Sequence, residues 1–299
     1  MKNAIPESLL LLLVALSLDF GASFQLVSSP YHVVTSRRQN QGEPKNRSHL
    51  SAVRPMKDDS TSSAGTSKAR LIFPGGGLFF YWQAGVIAYL QENSYDLNNV
   101  LLSGASAGAL SATIAKTSIS PYRATELALQ MSDEAGVWER PLGLMGIWGD
   151  IIYQWLNDLL PSDAQIVVND ERLHVLVTPV PSFGKNIVSR FESREDLIQA
   201  NMASVHLPWF LNGNFAYNFR GSPCIDGSFL ARPSDYFDKQ YTQENQAKLI
   251  LDFKRDPVMK SRAADFVKVV SKQAIWDILE QGKKHAKVMD VNREFDILR

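Results

Sequence analysis

Residues 104–108 read Gly-Ala-Ser-Ala-Gly, and no other stretch limits the fold as much. The run follows Val100-Leu101-Leu102, a short apolar strand candidate, and leads into Ala107 to about Lys116, which reads as a helix. A serine on such a strand-to-helix elbow takes a strained backbone conformation that pushes its hydroxyl out at the edge of a sheet. The flanking Gly104, Ala105, Ala107 and Gly108 suit it, because larger side chains there would strike the neighbouring strand or helix. The helix that opens at the turn aims its free N–H groups and the positive end of its dipole at Ser106. A serine so placed attacks a carbonyl carbon and forms an acyl-enzyme. The other reading is a glycine-rich packing turn.

The same arrangement occurs upstream. Ala69–Phe73 is a strand candidate, Pro74-Gly75-Gly76-Gly77 a turn, and Leu78–Gln91 a helix with Ala84, Ile87, Ala88 and Leu90 on or near one face. Consecutive glycines let backbone N–H groups converge, which builds an oxyanion hole or a phosphate cradle. No Lys-Ser/Thr follows, so the turn is not a nucleotide P-loop. Strand–turn–helix, met twice between residues 69 and 116, predicts an α/β fold with a parallel sheet. Further helices are expected from Pro121 to about Ser132, over Trp148–Leu160, over Arg194–Asn201 and from about Ala263 to Ala286, with a strand over Leu173–Thr178. No internal repeat and no second linker interrupts residues 69–299, so they are read as one domain.

A serine nucleophile needs a base. Cys224-Ile225 leads into Asp226-Gly227-Ser228, which sets an aspartate at the end of a short strand. Asp-Gly is also a common turn. A triad in the chain order Ser106, Asp226, His285 is the competing arrangement. His174 alternates with apolar residues in a strand and reads as structural, and His206 beside Pro208 and Trp209 reads as a loop or core residue.

IFPGGGLFFYWQAGVIAYL, LLSGASAGAL, IQANMASVHLPWF and CIDGS resemble, in that order, the blocks of patatin-like phospholipases. The resemblance covers nearly all of Arg70 to about Phe237, with a weaker echo at Leu279-Glu280-Gln281-Gly282. It implies a three-layer α/β/α sandwich with a mostly parallel central sheet, and lipid acyl-ester hydrolysis by a Ser-Asp dyad with no catalytic histidine, no metal and no other cofactor. The nucleophile maps to Ser106, the dyad aspartate to Asp226, and the oxyanion loop to Gly75, Gly76 and Gly77; Gly227 completes the aspartate's turn. Two positions depart from the family pattern. Phe80 stands where another glycine is usual, and Ser228 replaces the second glycine of Asp-Gly-Gly. Phe80 is expected to narrow the mouth of the site or tilt the helix.

Composition removes several other functions. The chain carries 31 Lys+Arg and 31 Asp+Glu, without the basic excess that nucleic acid selects. Its apolar share of 45% is too high for a disordered chain. One cysteine forms neither an internal disulfide nor a Cys-based zinc site. The expected partner is a lipid at a membrane or lipid-droplet surface, met without a transmembrane helix in the mature protein. A non-catalytic lipid-binding protein on the same fold, and an acyltransferase that shares the acyl-enzyme, are the alternatives. Trp138, Trp148 and Trp155 lie in an apolar stretch, 137–160, that reads either as core or as a lid that dips into lipid.

Residues 1–23 have the pattern of a signal peptide: Lys2, a short apolar core over Leu9–Leu18, and the small residues Gly21, Ala22 and Ser23. A buried helix or short anchor is the alternative. Residues 24–68 are basic, Ser-rich and acid-poor, and are expected to be disordered. Together, with Phe24 after the cleavage site, the two segments resemble the two-part presequence of plastid proteins in algae with complex plastids. The competing reading is a protein secreted or held in the endomembrane lumen. A fluorescent protein fused behind residues 1–68 is therefore expected in the plastid of such an alga; recovery from the medium would favour secretion.

Overall fold

The structure is a computed structural model that describes residues 69–236 and 247–299. The expected signal peptide (1–23) and basic arm (24–68) lie outside the described residues. Among the described residues, seven strands form one sheet: β1 (Ala69–Phe73), β2 (Leu101–Ala105), β3 (Leu173–Pro179), β4 (Asn186–Val188), β5 (Tyr217–Phe219), β6 (Ser222–Ile225) and β7 (Ala247–Ile250), in the order β5-β6-β3-β2-β1-β7 with β4 also on β3. The four strands β7, β1, β2 and β3 run parallel, and β4, β5 and β6 join antiparallel. The sheet is thus mostly parallel at its centre, as the two strand–turn–helix units predict. β2 is buried along its whole length, as a strand covered on both faces must be.

The two faces are covered unequally. Leu71, Phe73, Leu102, Val175 and Val177 point into a large core shared with the long helices. Ile72, Leu101, Ala105 and Leu176, of the opposite parity, form a small cluster with Tyr236. Ser103, between them, donates to the Tyr236 carbonyl and holds that cover in place.

The helices are α1 (Phe80–Glu92), α2 (Ala107–Lys116), α3 (Pro121–Glu134), α4 (Trp148–Leu159), α5 (Ala164–Val168), α6 (Arg194–Ser204), α7 (Pro257–Lys260) and α8 (Lys272–Val291). α1 starts at Phe80 rather than Leu78, because Gly77 has φ +52° and the intervening residues form a 3₁₀ turn. Pro121 occupies the first turn of α3 behind the cap Ser120. α8 starts at Lys272, nine residues later than expected. Ser271 caps it by accepting from Ala274 N–H at 3.2 Å, while the Phe266 carbonyl is taken by Leu78 N–H at 2.7 Å. The short strands β4, β5 and β7 carry no pattern that the sequence makes plain. No described helix is long and apolar enough to cross a membrane.

α1 is buried on nearly every side, which requires a helix packed against each face. α8 provides one of them through a backbone-close crossing. A β-carbon on Gly85 would overlap the Leu279 carbonyl, and one on Gly282 would overlap the Trp82 carbonyl. The pair is locked by Asp256, whose buried Oδ2 accepts from Trp82 Nε1 at 3.0 Å and Gln281 Nε2 at 2.9 Å. Gly282→Ala forces the helices apart and is expected to cost about 1–3 kcal/mol. That lowers the melting temperature by several degrees in a circular-dichroism melt; an unchanged melt would show that the crossing tolerates a methyl group.

Candidate active site

β2 ends at Ala105, α2 begins at Ala107, and Ser106 makes the turn with φ 55° and ψ −133°. A side-chain-bearing residue held there costs about 1–3 kcal/mol, and persists only where its surroundings fix it. They do so through hydrogen bonds. Ser106 N–H donates to Ser204 Oγ at 3.0 Å, and Ser204 Oγ donates to the Leu176 carbonyl at 2.7 Å. The Ser106 carbonyl accepts from Ala109 N–H at 2.8 Å. Gly104 and Gly108 lie backbone against backbone, and a β-carbon on Gly108 would also overlap the Phe73 carbonyl at the end of β1. Ala105 and Ala107 are buried beside them.

That contact brings the glycine turn to the serine. A β-carbon on Gly75 would stand 3.1 Å from Ser106 Cβ and 2.7 Å from Ser228 Oγ, so the bare backbone of Gly75 fills the gap between these two side chains. Gly76 lies against Phe253, which stacks on Phe79 with ring centroids 3.8 Å apart. Gly77 turns the chain into the 3₁₀ segment. Gln83 on α1 ties the turn down: Nε2 donates to Pro74 O at 2.9 Å and to Leu251 O at 3.3 Å, while Oε1 accepts from Ser111 Oγ at 2.7 Å. The first N–H groups of a helix have no acceptor within it, and in α2 the Ser106 carbonyl takes that of Ala109.

Asp226 follows β6 and is 3% exposed. Its N–H donates to the His206 carbonyl at 2.8 Å, and its carbonyl accepts from Thr178 Oγ1 at 3.0 Å. Gly227 N–H donates to the Ser204 carbonyl at 2.8 Å, with no room for a β-carbon against Leu176 O. Carboxylate oxygen Oδ1 accepts from Ser228 N–H at 2.8 Å and Ser228 Oγ at 2.6 Å. Oδ2 is buried and accepts no hydrogen bond from the described residues. Burial pushes the carboxyl pKa up; the Ser106 hydroxyl, the Ser228 hydroxyl and N–H, and the Lys185 ammonium pull against it. Burial in turn lowers the Lys185 pKa to about 8, against the pull of Asp226 and Asp235.

Ser106, Asp226, Ser228 and the three glycines share one cavity of about 160 Å³, whose walls include Phe80, Trp138, Trp148, Ile152, Trp155 and Leu211. Phe80 packs edge-on against Trp155, ring centroids 5.5 Å apart, and so forms wall rather than plug. Trp155 is 4% exposed and its Nε1 donates to the Ala124 carbonyl, so the lipid-dipping reading fails for it. Trp148 is half-buried on Phe210, and Trp138 donates to the Val270 carbonyl. No histidine among the described residues lines the cavity. His285 lies against Trp82 with Nδ1 3.9 Å from Asp256 Oδ2, and the structure does not bring it to Ser106. His174 and His206 are both fully buried; His206 Nε2 lies 3.2 Å from the Asn214 carbonyl.

A family model described as "Patatin-like phospholipase" matches residues 71–237. The chain belongs to the patatin-like phospholipase family. It is 32% identical over 158 residues to human patatin-like phospholipase domain-containing protein 2, covering 52% of this chain and 31% of that one. It is 27% identical over 174 residues to the omega-hydroxyceramide transacylase of Mus musculus, 57% of this chain and 29% of the other. A third relative, 1-acylglycerol-3-phosphate O-acyltransferase Pnpla3 of Mus musculus, is 29% identical over 163 residues, 52% of this chain and 38% of its own length. The match thus spans about a third of the length of these relatives.

The patatin-like block IQANMASVHLPWF gains a role that its residue types do not announce. Ser204 backs the elbow, and the carbonyls of Ser204 and His206 hold Gly227 and Asp226. Gln83 is equally unmarked, being one polar residue inside an apolar helix. β7, Phe253, Phe266 and α8 lie beyond the matched residues, yet Phe253 and Phe266 flank the glycine turn. Ser204→Ala leaves the buried Ser106 N–H and Leu176 carbonyl without that hydroxyl. The expected loss is about 1–3 kcal/mol, read as a lower midpoint in urea unfolding; an unchanged midpoint would mean that the elbow relaxes without it.

Proposed function

We propose that the protein is a lipid acyl hydrolase that cleaves fatty-acid esters of phospholipids, galactolipids or acylglycerols. The observation that carries this reading is the shared cavity. Ser106 on its strained elbow and Asp226, whose buried Oδ2 accepts no hydrogen bond from the described residues, line the same apolar space, which suits an acyl chain better than a polar substrate.

Asp226 Oδ2 takes the Ser106 hydroxyl proton as Oγ bonds to the ester carbonyl carbon. Backbone N–H groups around Gly75, Gly76 and Gly77 hold the oxyanion that forms. Collapse of this intermediate breaks the bond to the alcohol oxygen, which leaves with the proton from Asp226. Water, deprotonated by Asp226, then attacks the acyl carbonyl, and collapse returns the proton to Ser106 and frees the fatty acid. Burial raises the basicity of Asp226, which supports a carboxylate acting without an imidazole relay. Transfer of the acyl group to an alcohol instead of water is the second reading, supported by similarity to relatives named for transacylase and acyltransferase activities.

Residues 69–299 are expected to release fatty acid from mixed phospholipid, galactolipid and triacylglycerol vesicles without added metal. Ser106→Ala should abolish release, and Asp226→Asn should lower it at least about 100-fold. His285→Ala should retain activity within a factor of about two. Added monoacylglycerol diverts the acyl group into diacylglycerol if transfer competes with hydrolysis. No release or transfer by the unmodified protein would leave a lipid-binding role in its place.

A further inference from the structure

Ser228 stands where the usual family pattern has glycine, and its hydroxyl does something glycine cannot. Oγ lies 2.6 Å from Asp226 Oδ1, and the serine N–H lies 2.8 Å from the same oxygen. Oγ also abuts Gly75, at 2.7 Å from where a β-carbon would stand, so the glycine turn limits where the hydroxyl can point. Two donors on Oδ1 fix the plane of the carboxylate. The other oxygen, Oδ2, is buried and accepts no hydrogen bond from the described residues, and Asp226 and Ser106 line the same cavity.

We propose that Ser228 is a positioning residue, whose hydroxyl locks Oδ1 of Asp226 so that Oδ2 alone receives the Ser106 proton. The proposal rests on the dyad reading above and deepens it. The hydroxyl is a donor to the charged carboxylate, so it also favours the ionised form that the base must have. Other groups act on the same carboxylate. Ser106 faces it from the elbow and Lys185 from the β3–β4 connection; Tyr236 faces it from a second 3₁₀ turn, Pro233–Tyr236, with Asp235 and Asp252 beyond. These groups are unchanged when only Oγ is removed.

The test is the pH profile of fatty-acid release, with kcat and KM separated, for the unmodified protein, Ser228→Ala and Ser228→Gly. Both variants keep the backbone N–H, and Ser228→Gly restores the usual family residue, which protects folding. Without Oγ the ionised carboxylate loses a donor, its pKa rises, and the acid limb moves to higher pH. On that limb kcat is expected to fall roughly tenfold, as suits one hydrogen bond to a charged group, with KM within a factor of about two. An acid limb that stays in place in both variants, even with a lower melting temperature, makes Ser228 merely structural and overturns the proposal while the dyad stands. If the unmodified protein neither releases fatty acid nor takes a fluorophosphonate label at Ser106, the dyad reading falls and this proposal falls with it.

Discussion

The backbone of Gly108 rests on the carbonyls of Phe73 and Pro74, and every other part of the site takes its place from that contact. It lets the first turn of α2 abut the end of β1, so the serine elbow and the glycine turn share one edge of the sheet. The contact works only without a side chain, and the glycines on both sides of the serine follow from it. The strain at Ser106 is held from behind by Ser204, which also fixes Gly227 through its carbonyl. One helix end thus positions both the Ser106 turn and the Asp226 turn.

Much of this arrangement was legible in the residues. Two glycine-rich turns, each between an apolar strand and a helix, carry their own geometry, because backbone contact and positive φ leave few residue types possible. The parallel centre of the sheet follows from the same units. What stayed hidden has a common cause. Gln83, Ser204 and Trp82 act through partners far along the chain, and a polar residue in an apolar helix does not name its acceptor. The three-residue strands β4 and β5 are too short for alternation to register. The late start of α8 depends on Phe266, whose carbonyl is captured by the glycine turn, a tertiary effect that local pattern does not contain.

Phe80 and Ser228 are the two departures from the family pattern, and they differ in kind. Phe80 is accommodated as wall, edge-on to Trp155. Ser228 reaches the carboxylate itself. On the proposed function, changes in the wall act on which acyl chains fit, whereas changes at Oδ1 act on proton transfer, so the two positions bear on separate properties of the same cavity.

The crossing of α1 with α8 has a consequence for the order of events in the life of the chain. α1 carries Gln83, which ties down the glycine turn, and α1 is covered only once residues 272–291 have docked through Gly282. A ribosome that has made the elbow, the glycine turn and Asp226 has therefore not yet made a finished cavity. The cavity wall itself includes Ile275 of that last helix, so the turn that bears Ser106 and the wall that encloses it come from segments made at different times.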